Sequence, residues 1–396
     1  MGIEKSYQKT RSTAKAVRMS ILILVLVIST AVGILHQVLE VKPVTVDALC
    51  PFGGIESAWS VIVSGTLLAK LAWSSFILLG ATLLAAFLFR RSFCGNICPL
   101  GALQELFAWV GKKVLGRHYA VPGTVDRWAR YLKYLVLVVF VVLSAALGTL
   151  AIRPYDPWVT YHHLFDPALL EGFLVGLIVL LLTVVGSFFY DRFFCKYLCP
   201  MGAALTPFSK FGLFKIKRNA HTCINCSACD KVCPVNLPVS QLDTVKDTEC
   251  LDCDLCVNAC PVKDTLVIEG PGQKRINPTF RVIATLAIFL LVVGITTVTG
   301  NFRWTMPPLT QGHAGEGKPT IDFEAIKGTD TWQSVIDASG IPKAAFLERF
   351  KLTEADLSQP IKTKAHAPGS TYDTEAVREW VKEKASSLNR VGSPCC

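Results

Sequence analysis

Apolar residues run in long blocks along this chain, separated by short polar and basic stretches. Blocks near 19–39, 71–89, 131–152, 170–190 and 282–299 approach or exceed the roughly 20 residues with which an α-helix crosses a bilayer. The stretch 55–69, "IESAWSVIVSGTLLA", reads either as an extension of the second block or as an interfacial segment, with Lys70 at its end. The first block follows a basic head of Lys5, Lys9, Arg11, Lys15 and Arg18. No small-x-small cleavage site follows it, so it reads as a retained anchor rather than a signal peptide. Beyond the last block the pattern becomes amphipathic. "TDTWQSVIDASGIP" predicts a helix stopped by Gly340 and Pro342, and "KAAFLERF" predicts a second. Residues 373–388 predict a third, with Val377, Trp380 and Val381 on one face and Asp373 as N-cap. The whole predicts an α-helical membrane protein of about five transmembrane helices with a small C-terminal helical domain at 319–390. That domain shows no chemistry and reads as a docking module.

Composition agrees with a membrane protein. Of 396 residues, 51% are hydrophobic and 18% charged, too apolar for an ordinary soluble enzyme. The net charge of +10 raises nucleic acid as a partner, but Lys and Arg are scattered between apolar blocks and form no binding stripe. They orient the chain in lipid instead. The N-terminus is basic. So is 90–130, with Arg91, Lys112, Lys113, Arg117 and Arg127, and so is the stretch holding Arg192, Lys196, Lys210, Lys215, Lys217 and Arg218. Between them, 40–58 carries only Lys42 and 153–169 only Arg153. This alternation predicts an inner-membrane protein with its N-terminus (1–18) and residues 190–281 in the cytoplasm, and its tail, 303–396, outside.

Fifteen cysteines add chemistry. "CINCSACDKVCP" holds Cys223, Cys226, Cys229 and Cys233, and "CLDCDLCVNACP" holds Cys250, Cys253, Cys256 and Cys260. Both are C-x2-C-x2-C-x3-C-P. Three thiolates of one tight loop reach one cubane, and the Cys before Pro ligates the other. The spacing therefore assigns one [4Fe–4S] cluster to Cys223, Cys226, Cys229 and Cys260, and a second to Cys250, Cys253, Cys256 and Cys233. Zinc sites pair two halves without the third Cys and the Pro, and a reducing cytoplasm disfavours disulfides. The ferredoxin-like module spans 219–270. Two adjacent one-electron centres carry electrons and do little bond chemistry. No Rossmann fingerprint, P-loop or nucleophile elbow appears.

A second cysteine phrase occurs twice in the first transmembrane region, 19–218. "RSFCGNICPLGALQEL" contains Cys94 and Cys98; "DRFFCKYLCPMGAAL" contains Cys195 and Cys199, 101 residues on in each case. Each copy follows an outside-to-inside span, so the two form a parallel repeat about an axis along the membrane normal. Such an axis brings four thiols face to face at the cytoplasmic boundary. Pro at the first turn leaves the preceding Cys at a helix N-terminus, where the dipole favours thiolate. The four are candidates for one additional iron–sulfur centre. The alternative is four buried free cysteines acting as small hydrophobes. A degenerate third copy, "CPFGG" at Cys50 to Gly54, has Val46 in place of the first Cys and reads as a turn or a cofactor contact.

These marks resemble the membrane polyferredoxins of the NapH and NosR type, over about residues 15–300 and including "CPFGG". The resemblance implies quinol oxidation and electron delivery to respiratory or periplasmic redox partners, multihaem cytochromes among them. Two features depart from it. NosR-type proteins carry an outer flavin domain before the first span, and NapH-type chains end soon after the ferredoxin, whereas this chain continues through the block at 282–299. That layout also resembles FixG/CcoG-type proteins, which assist copper oxidase assembly. The expected function is a membrane electron-transfer protein joining the quinone pool to a redox partner in anaerobic-type respiration. The alternatives are a cytoplasmic-donor-driven conduit or metal-ion reductase, and a membrane redox sensor.

A quinol site needs a proton-accepting carboxylate or imidazole beside aromatic walls. "RPYDPWVTYHHLFDP", 153–167, offers Asp156, Tyr161, His162 and His163, with Arg153, Asp166, Tyr155 and Trp158. An interfacial aromatic belt explains the same residues. His36 with His162 or His163 is a haem pair on paper, but facing histidines on two spans are not evident, and haem is not expected. Cys395 and Cys396 read as an unstructured end rather than as copper ligands or lipidation sites.

Overall fold

A computed structural model describes residues 2–38, 51–64, 73–116, 119, 121–147, 151–165, 169–302, 326, 330–339, 341–365 and 374–391. Cys50, Asp166, Gly340, Asp373, Cys395 and Cys396 lie outside these residues, as does the side chain of His36. The chain forms two compact units that divide after residue 304.

The first unit opens with α1, Gly2–Val38, an unbroken helix that absorbs the basic head. Next come α2 (Pro51–Ser64) and α3 (Trp73–Phe89); residues 55–64 of the stretch 55–69 belong to α2, and 65–69 lie outside the described residues. A short α4 (Ser92–Asn96) precedes α5 (Pro99–Leu115). Then follow α6 (Gly123–Ala129), α7 (Leu132–Leu147), α8 (Pro157–His162), α9 (Leu169–Gly172) and α10 (Leu174–Phe189). After these come α11 (Phe193–Tyr197), α12 (Pro200–Ala204) and α13 (Thr206–Phe211). The segments α3–α4–α5 and α10–α11–α12 are the two copies of the repeat.

Among the described residues three helical stretches are long and apolar enough to cross a membrane: Arg11–Leu35 within α1, Gly123–Ala146 through α6 and α7, and α16 (Pro278–Val298). Among the expected spans, α3 and α10 are shorter. At 1.5 Å per residue their described parts fall about one turn short of a 30 Å core. The reason is local. Each stops where its cysteine turn begins, with Arg90 and Arg192 at positive φ (57° and 53°). Ile23, Leu24 and Val27 on α1, Val138 on α7 and Leu290, Leu291 and Val298 on α16 are exposed apolar side chains, as a lipid-facing surface requires.

Between α13 and α16 lies the cysteine-rich module. Strand β1 (Lys215–Arg218) pairs antiparallel with β2 (Leu266–Glu269), and β2 with β3 (Arg275–Ile276). Ile216 faces Ile268 across the sheet, and both are buried. Helices α14 (Ala228–Lys231) and α15 (Leu255–Ala259) follow the two cysteine loops. Two fully buried arginines fasten the module to helix ends. Arg90, after α3, donates to the carbonyls of Val245 (2.9 Å) and Asp247 (2.5 Å). Arg281, in the first turn of α16, pairs with Asp252 (3.1 Å) and Asp254.

The second unit contains α17 (Trp332–Ser339), α18 (Lys343–Phe350), α19 (Ile361–Ala365) and α20 (Thr374–Val391). They close on Trp332, Val335, Phe346, Phe350, Val377 and Val381, with a reciprocal cap between Thr353 and Asp356.

Candidate functional site

The two cysteine loops share one backbone path. Positive φ falls two residues after the first Cys and one after the second in both: Asn225 and Ser227, then Asp252 and Asp254. These short polar residues tolerate the left-handed region better than bulkier ones. The path wraps each loop around a cavity. Cys223, Cys226, Cys229 and Cys260 line one, with Ile224, Pro261 and Leu266. Cys233, Cys250, Cys253 and Cys256 line the other, with Val235, Leu237 and Leu251. Among the described residues no group of His, Cys, Asp and Glu is arranged to hold a single metal ion. Four thiols line each cavity, the donor set that a [4Fe–4S] cluster requires.

Electrostatics fits such a group. Burial raises the thiols of Cys250 and Cys256 well above the usual range and that of Cys229 to about 11. A bound metal centre would be needed to hold these thiols as thiolates. The cavities differ in depth. Cys250, Cys253 and Cys256 are buried, whereas Cys226 is exposed and Cys223 half-buried.

The membrane-edge repeat is built from two equivalent turns. Amides of Ile97 and Cys98 both donate to the Phe93 carbonyl; those of Leu198 and Cys199 both donate to Phe194. The second Cys of each turn caps the helix that Pro99 or Pro200 begins. The copies are locked by crossed arginines. Arg192, three residues before Cys195, donates to the Cys94 carbonyl (2.9 Å) and to Glu105 (2.8 Å). Arg91, three before Cys94, donates to the Gly202 carbonyl and to Thr206 (3.1 Å). Glu105 and Thr206 hold the same place in the two copies. Gln104 breaks the symmetry: its side chain donates to the Cys195 sulfur (3.1 Å) and accepts from the Phe194 amide (3.0 Å).

This crossing brings the four thiols within electrostatic reach of one another. Burial, then the thiols of Cys195 and Cys94, push Cys98 up to about 12. The same causes hold Cys199 well above its usual range, and burial takes Cys94 to about 11. The helix dipole expected to favour thiolate is therefore outweighed by burial and by like-charge neighbours. Charge compensation comes from Arg91 and Arg192, each about 1–2% exposed, and a bound cluster would complete it.

Between the helices lies a third cavity, with about 1120 Å3 of open space. Cys98 and Cys199 line it, as do Phe52, Phe140, Tyr155, Asp156 and Trp158. Of the residues expected at a quinol site, Asp156 is in its wall and also caps α8, accepting from the Trp158 amide (2.8 Å). Tyr161, His162 and His163 are not in the lining. Within 153–167, residues Pro157–His162 form the helix α8, which turns them elsewhere. Tyr161 meets Thr30 of α1 (2.8 Å), His162 lies edge-on to Trp158, and His163 reaches back to the Val159 carbonyl (2.9 Å).

Several site residues are not evident from the sequence. Arg91 and Arg192 stand in the repeated phrases but read there as surface charge; their signal is the repeat of Arg three residues before the first Cys. Arg18 reads as part of a basic head, yet it is buried against Glu105 (2.7 Å) and the Gly95 carbonyl (2.8 Å). Pro51 and Phe52, from the degenerate phrase, line the large cavity.

Comparison with known proteins adds independent information. A family model described as a 4Fe-4S binding domain matches residues 71–118 and again 173–219. A 4Fe-4S dicluster domain matches 215–261. YccM of Escherichia coli K12, named as a candidate electron transport protein, is 30% identical over 67% of this chain and 77% of its own length. The regulatory protein NosR of Pseudomonas aeruginosa is 33% identical over 45% of this chain but 24% of its own. The ferredoxin-type protein NapH of Escherichia coli K12 is 28% identical over 44% and 57%. No solved structure matches.

Proposed function

The chain belongs to the NapH/NosR-type polyferredoxin family, and from that premise we propose that it moves electrons between the quinone pool and a redox partner. It is an iron–sulfur electron-transport protein of the membrane. The observation that carries the finer reading is the large cavity. Its walls are aromatic and aliphatic, it holds one carboxylate, Asp156, and it ends on Cys98 and Cys199. That is the chemistry a quinone headgroup and its isoprenoid neighbour require.

In this reading Cys94, Cys98, Cys195 and Cys199 share one iron–sulfur centre. Cys233, Cys250, Cys253 and Cys256 hold a [4Fe–4S] cluster, and Cys223, Cys226, Cys229 and Cys260 hold another. Bound clusters supply one-electron steps; the protein supplies the order. Gly95 places the first repeat turn against Cys253, so the repeat adjoins the deeper cavity. The shallower one, with Cys226 exposed, is where a soluble partner exchanges electrons. Arg91 and Arg192 balance the charge that accumulates at the repeat. The distribution of Lys and Arg supports a cytoplasmic module and five spans, α3 and α10 included, with the second unit outside.

The test is direct. Anaerobic protein reduced with dithionite is mixed with a water-soluble quinone analogue, and the visible iron–sulfur absorbance is followed. Wild type should reoxidise at a rate that saturates in quinone, and Leu198→Trp, which fills the cavity, should abolish saturation. Identical, unsaturable rates in both would reject the quinone site.

A further inference from the structure

Behind the wall of the large cavity sits a carboxylate that no sequence motif points to. Glu56 on α2 is fully buried at 0% exposure. It stands one helical turn from Phe52, which lines the cavity. One oxygen, Oε1, accepts from Ser144 of α7 at 2.6 Å. The Ile152 backbone favours the Glu56 charge, yet the other oxygen, Oε2, is buried with no hydrogen bond of standard geometry among the described residues, and no cation pairs with Glu56 there. A polar atom left in that state costs free energy that a purely structural residue would not carry.

The Ser144 hydroxyl that donates to Glu56 also accepts from the Ala151 amide (3.1 Å). Ile152 follows, lines the cavity and accepts from the Asp156 amide (2.9 Å). Asp156 is itself in the cavity wall, and its charge is felt at Glu56. Two carboxylates thus flank one turn of chain, one facing the cavity and one behind it. The helices packed on α2 are α3 and α12, which have no titratable side chain, and α7, whose Lys133 and Tyr134 stand at the opposite end from Ser144. Arg153 and Tyr155 stand in the same turn as Asp156.

We propose that Glu56 and Asp156 form a proton relay for a hydroquinone bound in the cavity. This rests on the quinone reading above. In the oxidative direction a quinol loses two electrons to two oxidised iron–sulfur centres of the chain and two protons from its hydroxyls. Asp156 accepts one proton as an O–H bond breaks and shares it with Glu56; the other leaves to water. Two like charges in one apolar region resist joint ionisation, so the pair holds one proton readily and passes it on. In the reverse direction the pair returns a proton to the reduced quinone.

Glu56→Gln keeps the shape and the Ser144 contact but cannot bind a proton. In the quinone reoxidation assay it should slow the reaction about a hundredfold and flatten its pH dependence. Iron content and the dithionite-reduced spectrum should match wild type. Glu56→Asp should restore much of the rate and the pH dependence. Redox-difference infrared spectra of wild type should show a carboxylic C=O band that Glu56→Gln lacks. Wild-type rates and pH profile in Glu56→Gln would overturn the relay and leave the quinone site standing. A wild type that does not exchange electrons saturably with quinone would reject the quinone site instead. Should Glu56→Gln fail to fold, Ser144→Ala decides: the relay requires a displaced pH profile, and an unchanged one refutes it.

Discussion

Gly95 lies directly against Cys253. A side chain at Gly95 would collide with the Leu251 carbonyl and press on the Cα and Cβ of Cys253. This contact joins the membrane-edge repeat to the deeper cysteine cavity, and Asn96 reinforces it by donating to the Asp252 carbonyl (3.2 Å). The Leu251 carbonyl and the Cys253 Cα are backbone, which cannot swing aside as a flexible side chain can. Gly95→Ala should therefore push the module away from the repeat. Iron content should stay near wild type while reoxidation of the module by quinone slows at least tenfold. Stopped-flow absorbance reads the rate.

The crossed arginines make two equivalent glycines unequal. A Cβ on Gly101 would overlap the Arg192 guanidinium, which is fixed by the Cys94 carbonyl and Glu105. A Cβ on Gly202 would meet Arg91 at 3.5 Å, an ordinary contact. Gly101→Ala should cost about 1–3 kcal/mol through overpacking, and Gly202→Ala much less. Thermal unfolding in detergent compares them.

Glu105 is the anionic centre of the clasp. Burial opposes its charge, but Arg18 and Arg192 hold its carboxyl down to about 2 from an ordinary 4.5. A depressed carboxylate contributes stability that is full above its unfolded value and is lost as pH falls through its folded one. Between about pH 4.5 and 2, wild type should lose this contribution while Glu105→Gln changes less. At pH 7 Glu105→Gln should be destabilised by about 3 kcal/mol, since two buried arginines lose their counter-charge. Unfolding midpoints at pH 7 and pH 3 check both signs.

Much of the architecture is legible in the chain itself. The family follows from the repeated Cys-x-x-x-Cys-Pro phrase and the two C-x2-C-x2-C-x3-C-P runs, because ligand spacing is local in sequence. The helices of the tail follow from apolar periodicity, as α18 coincides with "KAAFLERF". What stays hidden depends on apposition of distant segments. Arg91 and Arg192 look like surface cations until the repeat crosses them, and Glu56 looks like an interfacial charge until α7 covers it. The stretch 153–167 misleads because aromatic and polar residues together resemble a site. Its residues Pro157–His162 wind into α8, which leaves Asp156 in the cavity wall and sends Tyr161 to α1.

The two cysteine cavities of the module should be separable. Cys226→Ser should remove the shallow cluster and lower iron by roughly four atoms per chain, yet leave quinone-driven oxidation of the deep cluster intact. Cys256→Ser should lose a similar amount of iron and also cut the shallow cluster off from quinone. EPR on the reduced variants distinguishes the surviving signals.

The account turns on whether Cys94, Cys98, Cys195 and Cys199 hold one centre together. Iron and EPR should be measured on the four single Cys→Ser variants, purified without oxygen. A shared centre predicts roughly twelve irons in wild type and about eight in every variant. The same EPR signal should vanish in all four, the two module signals should persist, and electron exchange with quinone should collapse equally. Wild-type iron and rates in all four would contradict the shared centre, and so would a split of Cys94 and Cys98 against Cys195 and Cys199.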